Sequence, residues 1–162
     1  MAYLPDANTF IEAKNTYYGM DFCAAFWDWL RQANADGRVF SIERVRNELT
    51  DGNDALSSWA SEQGPTFFLP PDEAILPALT SVSAWATSRT YPPAAVNTFL
   101  QAADYYLVAQ ALAHDHVVVT REVAGATRRI KIPNASIGVG VQCMTPFELL
   151  RVERARFVLG QA

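Results

Sequence analysis

The stretch AADYYLVAQALAHDHVVVTRE, residues 102–122, decides the fold. With the preceding Leu100, the residues Ala103, Leu107, Val108 and Ala111 fall at the spacing of one helical face. That spacing predicts a helix opened by Pro92-Pro93 and running to about His114. His116 to Thr120 follows at once, and its three valines read as a strand buried on both faces. A helix feeding directly into a buried strand is the repeating unit of a parallel sheet covered by helices.

The flanking sequence repeats this alternation. Met1 to Leu4 reads as a strand, with Pro5 at its end because proline has no N–H for the ladder. Asn8 or Thr9 would cap a short helix through Ala13. Asp21 to Asn34 reads as a helix with Phe22, Phe26, Trp29, Leu30 and Ala33 on one face. Arg38 to Ser41 is a short strand candidate. Ile42, Val45 and Leu49 mark a helix, and Asp54 to Gln63 another. Thr66 to Leu69, between prolines, reads as a strand, and Asp72 to Thr87 as a helix in which Pro77 is a local fault. Beyond residue 122, Ile130-Lys131-Ile132 and Val139 to Cys143 are strand candidates. Pro146 to about Val158 closes as a helix. The expected fold is α/β, a three-layer α/β/α sandwich around a mainly parallel sheet, in one domain over residues 1–162.

Composition fits that expectation. Half of the 162 residues are hydrophobic, enough for one domain to bury roughly 70% of its unfolded surface. No apolar run approaches the roughly 18 residues of a membrane helix. Asp6 and Glu12 interrupt the apolar stretch that a signal peptide needs. Cys23 and Cys143 form no CxxC pair, so reduced thiols and a cytoplasmic setting are expected. The net charge of −4 is uneven. Residues 1–120 carry 6 basic and 14 acidic side chains, and residues 121–162 carry 7 basic and 3 acidic. An acidic chain is a poor general binder of nucleic acid, but a basic strip beside an acidic site steers phosphate locally.

Four carboxylates occupy informative positions. Asp6 follows the first strand and Glu122 follows the valine strand, so both would emerge at the carboxyl edge of the sheet if those strands are neighbours, where ligands of such sheets bind; the alternative for each is a helix cap or a solvated loop residue. Asp104 lies inside an apolar stripe, where a carboxylate is costly unless a cation or several donors meet it. Alternatively, it caps a helix beginning near residue 104. Glu48 flanks the stripe Ile42, Val45, Leu49, and opposes the dipole at that helix's end. Carboxylates gathered from such distant segments suit hard cations such as Mg²⁺ or Mn²⁺. One or two such ions would activate water and stabilise charge on a phosphate under attack.

These residues lie in motifs that resemble a known family. YLPDANTFIEA, SIERVRNEL, AADYYLVAQALAHDHVVVTRE and RRIKIPN are similar, in order and spacing, to PIN-domain nucleases. The likeness is strongest to a toxin-like, VapC-related subfamily of bacteria and archaea, and spans Met1 to about Arg156. The resemblance implies metal-binding, catalytic carboxylates at Asp6, Glu48, Asp104 and Glu122, with Asn8 and Thr120 as accompanying polar residues. It implies a Mg²⁺- or Mn²⁺-dependent endoribonuclease and an antitoxin partner that blocks the site. Where many PIN domains have Asp, this chain has Glu122. It also has Asp6-Ala7-Asn8 in place of Asp-Thr-Asn; the longer Glu122 side chain leaves the metal count open.

Other residues carry two readings each. Arg121, Arg128, Arg129 and Lys131 either hold an RNA backbone near the metal or form a solvated face. His114 and His116 read as helix-end residues rather than ligands. Trp27, Trp29, Trp59 and Trp85 read as core or interface before base-stacking platforms. Ser41 and Thr145 read as helix caps. The alanine- and aromatic-rich helices suit a homodimer or an antitoxin interface, and no membrane partner is expected. A PIN-like scaffold that binds protein or RNA without cutting is the alternative function. A haloacid-dehalogenase-type phosphatase ranks last, because it needs aspartate where Asn8 stands.

Overall fold

Asp6 ends the first strand and starts the first helix, and the rest of the chain is arranged around that junction. The computed structural model describes residues 1–160. β1 (Tyr3–Pro5) leads into α1 (Ala7–Glu12), a π-helical segment at Ala13–Tyr17 and α2 (Ala24–Ala35). β2 (Ser41–Ile42), α3 (Glu43–Thr50), α4 (Ala55–Glu62) and β3 (Phe68–Leu69) follow. α5 (Ile75–Ser88), α6 (Pro93–Gln101) and α7 (Ala103–His114) lead to β4 (Val117–Val119). α8 (Ile132–Val139), β5 (Cys143–Met144) and α9 (Pro146–Val152) complete the order.

β1 pairs with β4, β4 with β5 and β2 with β3, all parallel, with Tyr3 opposite Val117 and Val118 opposite Cys143. The two ladders meet at a parallel bridge between Tyr3 and Val39. There the Tyr3 N–H donates to the Arg38 carbonyl (2.9 Å) and the Phe40 N–H to the Tyr3 carbonyl (3.0 Å). The strand order is therefore β3-β2-β1-β4-β5. The chain steps from β1 to β3 in one direction and from β4 to β5 in the other. Right-handed crossovers then put α1 to α4 on one face and α5 to α8 on the opposite face. In the packing, α5, α7 and α8 contact one another and α3 contacts α1 and α4, while α3 also touches α7. The result is the expected α/β/α sandwich with a parallel sheet. Its strand order reverses between β1 and β4, where ligand crevices of such sheets form.

The core is one cluster running from Tyr3 to Leu149. Phe10 of α1 sits at its centre, with ring centroids 5.9 Å from Trp59, 6.2 Å from Phe67 and 6.0 Å from Phe68. Leu4, Val118 and Val119 are fully buried, as an inner parallel pair requires.

Five local expectations change. The helix expected from Pro92 to His114 breaks at Ala102, whose extended backbone (φ −86°, ψ 155°) ends α6 and caps α7. Ile130 to Ile132 is not a strand. Lys131 is the N-cap of α8, and Ile132-Pro133 form its first turn. Apolar alternation over three residues is too short to outweigh a proline that suits a helix start. The second helix starts at Ala24 rather than Asp21, and Phe22 is 70% exposed. Asp6, not Asn8 or Thr9, caps α1. Ser41 lies within β2, donating its hydroxyl to the Pro5 carbonyl (2.8 Å), so it ties two strands and caps nothing. Thr145 does cap α9, in a reciprocal box with Glu148. No helix of the described residues is long and apolar enough to cross a membrane.

Candidate active site

Asp6 is the most constrained side chain of the carboxyl edge. It is 2% exposed. Its Oδ1 accepts from the Thr9 N–H (2.8 Å) and the Thr9 hydroxyl (2.7 Å), and its Oδ2 accepts from the Thr120 hydroxyl (2.6 Å). A carboxylate offers about four acceptor positions, so one is left open. Burial pushes its carboxyl up, the Thr120 and Thr9 hydrogen bonds draw it down, and the Glu122 charge pushes it up again; the net direction is upward. Thr120 bridges the two strand ends, because its oxygen also accepts from the Glu122 N–H (3.1 Å).

Glu122 faces the start of α8. Its Oε2 accepts from the Ile132 N–H (2.8 Å), and its Oε1 receives the Arg129 guanidinium (3.2 Å). The first N–H groups of a helix have no partner inside it, and the positive end of the dipole favours an anion there. Glu122 thus serves as a remote cap for α8.

Asp104 stands in the first turn of α7, past the N-cap Ala102, and makes no capping hydrogen bond, so it is not the helix cap of the alternative reading. Its carboxyl is pushed up to about 7, first by burial, then by the charges of Glu122, Asp6 and Glu48, with Arg129 opposing. Glu48, near the end of α3, is exposed at the surface. Its carboxyl is also pushed up, by the protein packed around it and by Asp6 and Asp51, against the pull of the Ala103 N–H. All four carboxylates therefore share one electrostatic field at the β1–β4 switch point. Among the described residues, no three His, Cys, Asp or Glu side chains stand at metal-ligand distance from a common point.

The basic residues divide into two groups. Arg128 and Arg129 line a cleft of about 450 Å³ with Asp104, Phe99 and Ile130. Arg121 points elsewhere, since it pairs with Glu12 (2.7 Å) and lies 4.9 Å from the Tyr17 ring centre. The Lys131 ammonium donates to the Val123 carbonyl (3.2 Å). Asn8 is exposed in the first turn of α1. His114 ends α7 and meets Asp72 (2.8 Å), while His116 Nδ1 accepts from the Ala2 N–H (3.0 Å) near the first strand. Cys23 and Cys143 are free. Trp27 and Trp59 are core residues, but Trp85 borders a second cleft. Sequence reasoning missed Thr9 as an Asp6 partner, although Asp-x-x-Thr at a strand end is the pattern of a capped helix.

The donor set suits a hard divalent cation in part. Asp6, Glu48 and Asp104 are oxygen donors held in mutual repulsion, which a cation would relieve. Glu122 is already matched to a helix end and a guanidinium.

Two solved structures share this fold. FitAB bound to the IR36 DNA fragment superposes with a TM-score of 0.54 at 18% identity, covering 90% of this chain and 95% of that one. FitAcB from Neisseria gonorrhoeae superposes with a TM-score of 0.54 at 21% identity, covering 90% and 98%. Both are PIN-like α/β folds, and at this identity the likeness is one of fold. No curated protein matches the chain in sequence. A family profile described as "Domain of unknown function (DUF4411)" matches residues 3–157, so the chain belongs to the DUF4411 family.

Proposed function

We propose that the chain is a Mg²⁺- or Mn²⁺-dependent endoribonuclease, the toxin of a toxin–antitoxin pair in the VapC-related PIN-like group. The observation that carries this reading is Asp104. A half-buried carboxyl raised to about 7, first by burial and then by three other carboxylates, at the switch point of a parallel sheet, is a group that a bound cation would stabilise. The fold likeness to FitAB and FitAcB supports the toxin half of the reading, with an antitoxin as the partner.

Asp6, Glu48 and Asp104 would hold the metal. The bound ion would supply an activated water and neutralise charge on the scissile phosphate. Thr9 and Thr120 fix the Asp6 carboxylate so that its remaining acceptor position has one direction. Asp104 would release its proton near neutral pH as the positive charge arrives. Arg128 and Arg129 border the same cleft and would hold the RNA backbone. Glu122 would keep Arg129 and the α8 start in place. Asn8 would contact the phosphate from the first turn of α1. Hydrolysis would leave a 3′-hydroxyl and a 5′-phosphate.

Calorimetric titration of Mn²⁺ into the wild type and Asp104→Asn, with an RNA-cleavage assay on the same samples, tests the reading. Binding and cleavage in the wild type, both lost in the variant, are expected. A wild type that binds no Mn²⁺ at millimolar concentration would overturn it. One observation favours the alternative, a scaffold that binds without cutting. The four carboxylates do not gather into a finished ligand set, and Glu122 is matched by protein groups.

A further inference from the structure

A second cleft of about 750 Å³ adjoins the first, whose one lining carboxylate is Asp104 (the carboxylate cleft), and the two share Pro92 and Arg128 as a common wall. Its lining is unlike the first. Trp85 and Tyr91 lie with ring centroids 5.9 Å apart, and the Arg89 guanidinium lies 5.9 Å from the Trp85 ring centre. Trp85 is only partly buried, and Arg89 and Arg128 are exposed.

The seat of Trp85 depends on one glycine. A Cβ built on Gly138 of α8 would meet Trp85 Nε1 at 2.0 Å. The five-membered ring of the indole therefore rests directly on the α8 backbone. Any larger residue at 138 would push the ring out of place. The opposite rim is a short loop, braced by the Asn134 side chain, which accepts from the Gly125 N–H (3.3 Å) and donates to its carbonyl (3.2 Å).

We propose that this second cleft takes an unpaired nucleobase of a single-stranded polynucleotide whose backbone crosses the carboxylate cleft. The inference rests on the phosphodiester-hydrolysis reading of the neighbouring carboxylates. Three features of the cleft favour this occupant. Aromatic rings offer the stacking surface that every base accepts, and flanking guanidinium groups match a phosphate on either side. Arg128, on the shared wall, lies where the backbone must pass from one cleft to the other. A base can enter the aromatic cleft only when unpaired, so a duplex fits poorly.

The test is fluorescence anisotropy with short labelled oligonucleotides and Asp104→Asn protein in Mg²⁺, comparing single-stranded RNA, single-stranded DNA and duplex RNA. In that background Trp85→Ala is expected to weaken single-strand binding on the order of tenfold. Arg128→Ala should weaken it and flatten its salt dependence. Trp85→Phe should retain most of the affinity, and Gly138→Ala, which keeps the indole but displaces it, should behave like Trp85→Ala with an intact far-ultraviolet spectrum. Preference for RNA over DNA would identify the ribose as part of the ligand. Equal binding of both would leave base and phosphate as the recognised chemistry. Binding unchanged in Trp85→Ala and Arg128→Ala, equal binding of the duplex, or no binding at all would each overturn the inference. Cleavage by protein with Asp104 intact is scored separately. Cleavage without Trp85 dependence removes this inference and leaves the nuclease reading. Trp85-dependent binding without cleavage does the reverse.

Discussion

The Asp6 carboxylate caps α1 through Oδ1 and receives the Thr120 hydroxyl through Oδ2, so one side chain ends a strand, starts a helix and faces the site. Asp104 is held differently, by charge rather than by donors. The folded chain binds its proton far more tightly than an unfolded chain, in which the carboxyl has its ordinary value of 3.8. That contribution to stability is fully present below 3.8 and is lost as pH rises through about 7. Asp104→Asn removes the titration. Urea unfolding without metal should therefore show the variant gaining on the wild type across that window and levelling off above it. The final difference should be at most roughly 4 kcal/mol. Parallel pH profiles for the two proteins would show that Asp104 does not titrate in this way. The places of Asp6 and Glu122 just beyond strand ends were readable in the sequence, whereas Asp104 was read within one continuous apolar stripe and stands instead in the first turn of α7. The separation of Arg121 from Arg128 and Arg129 was not. It depends on Glu12 and the Tyr17 ring, which come from the other end of the chain.

At the scale of elements, the alternation of helix and strand was legible because buried valine runs and helical stripes are long-range signals. The break at Ala102 was hidden, since neither glycine nor proline marks it and the stripe continues in phase across it. The α8 start was hidden for a related reason. Ile-Lys-Ile alternates like a strand, and the group that fixes it as a helix end, Glu122, lies ten residues away. That cap has a measurable role. Glu122→Ala should cost about 1 kcal/mol in urea unfolding, as loss of a helix cap does. Glu122→Gln keeps an acceptor for Ile132 and should cost less. If both substitutions instead raised metal-free stability equally, charge repulsion rather than capping would be the main effect of Glu122.

For the molecule as a whole, the site lies where two sequence-distant halves meet. Asp6 and Thr120 are 114 residues apart in the chain, and β1 finds its β4 partner only after α7 has been made. Closing a loop of that length before any contact repays it makes this pairing a late step of folding. Protein synthesis is vectorial, so a ribosome that has not yet passed Val117 carries Asp6, Glu48 and Asp104 on a chain that lacks the strand needed to bring them together. Stalled nascent chains ending before Val117 should show no Mn²⁺ affinity, and chains released at full length should show it. Mn²⁺ binding by the shorter chains would mean that the carboxylates assemble without β4. Where a newborn enzyme threatens its own translation machinery, this order of assembly is a delay fuse. On the proposed nuclease reading, the site would be armed only once the ribosome has passed Val119.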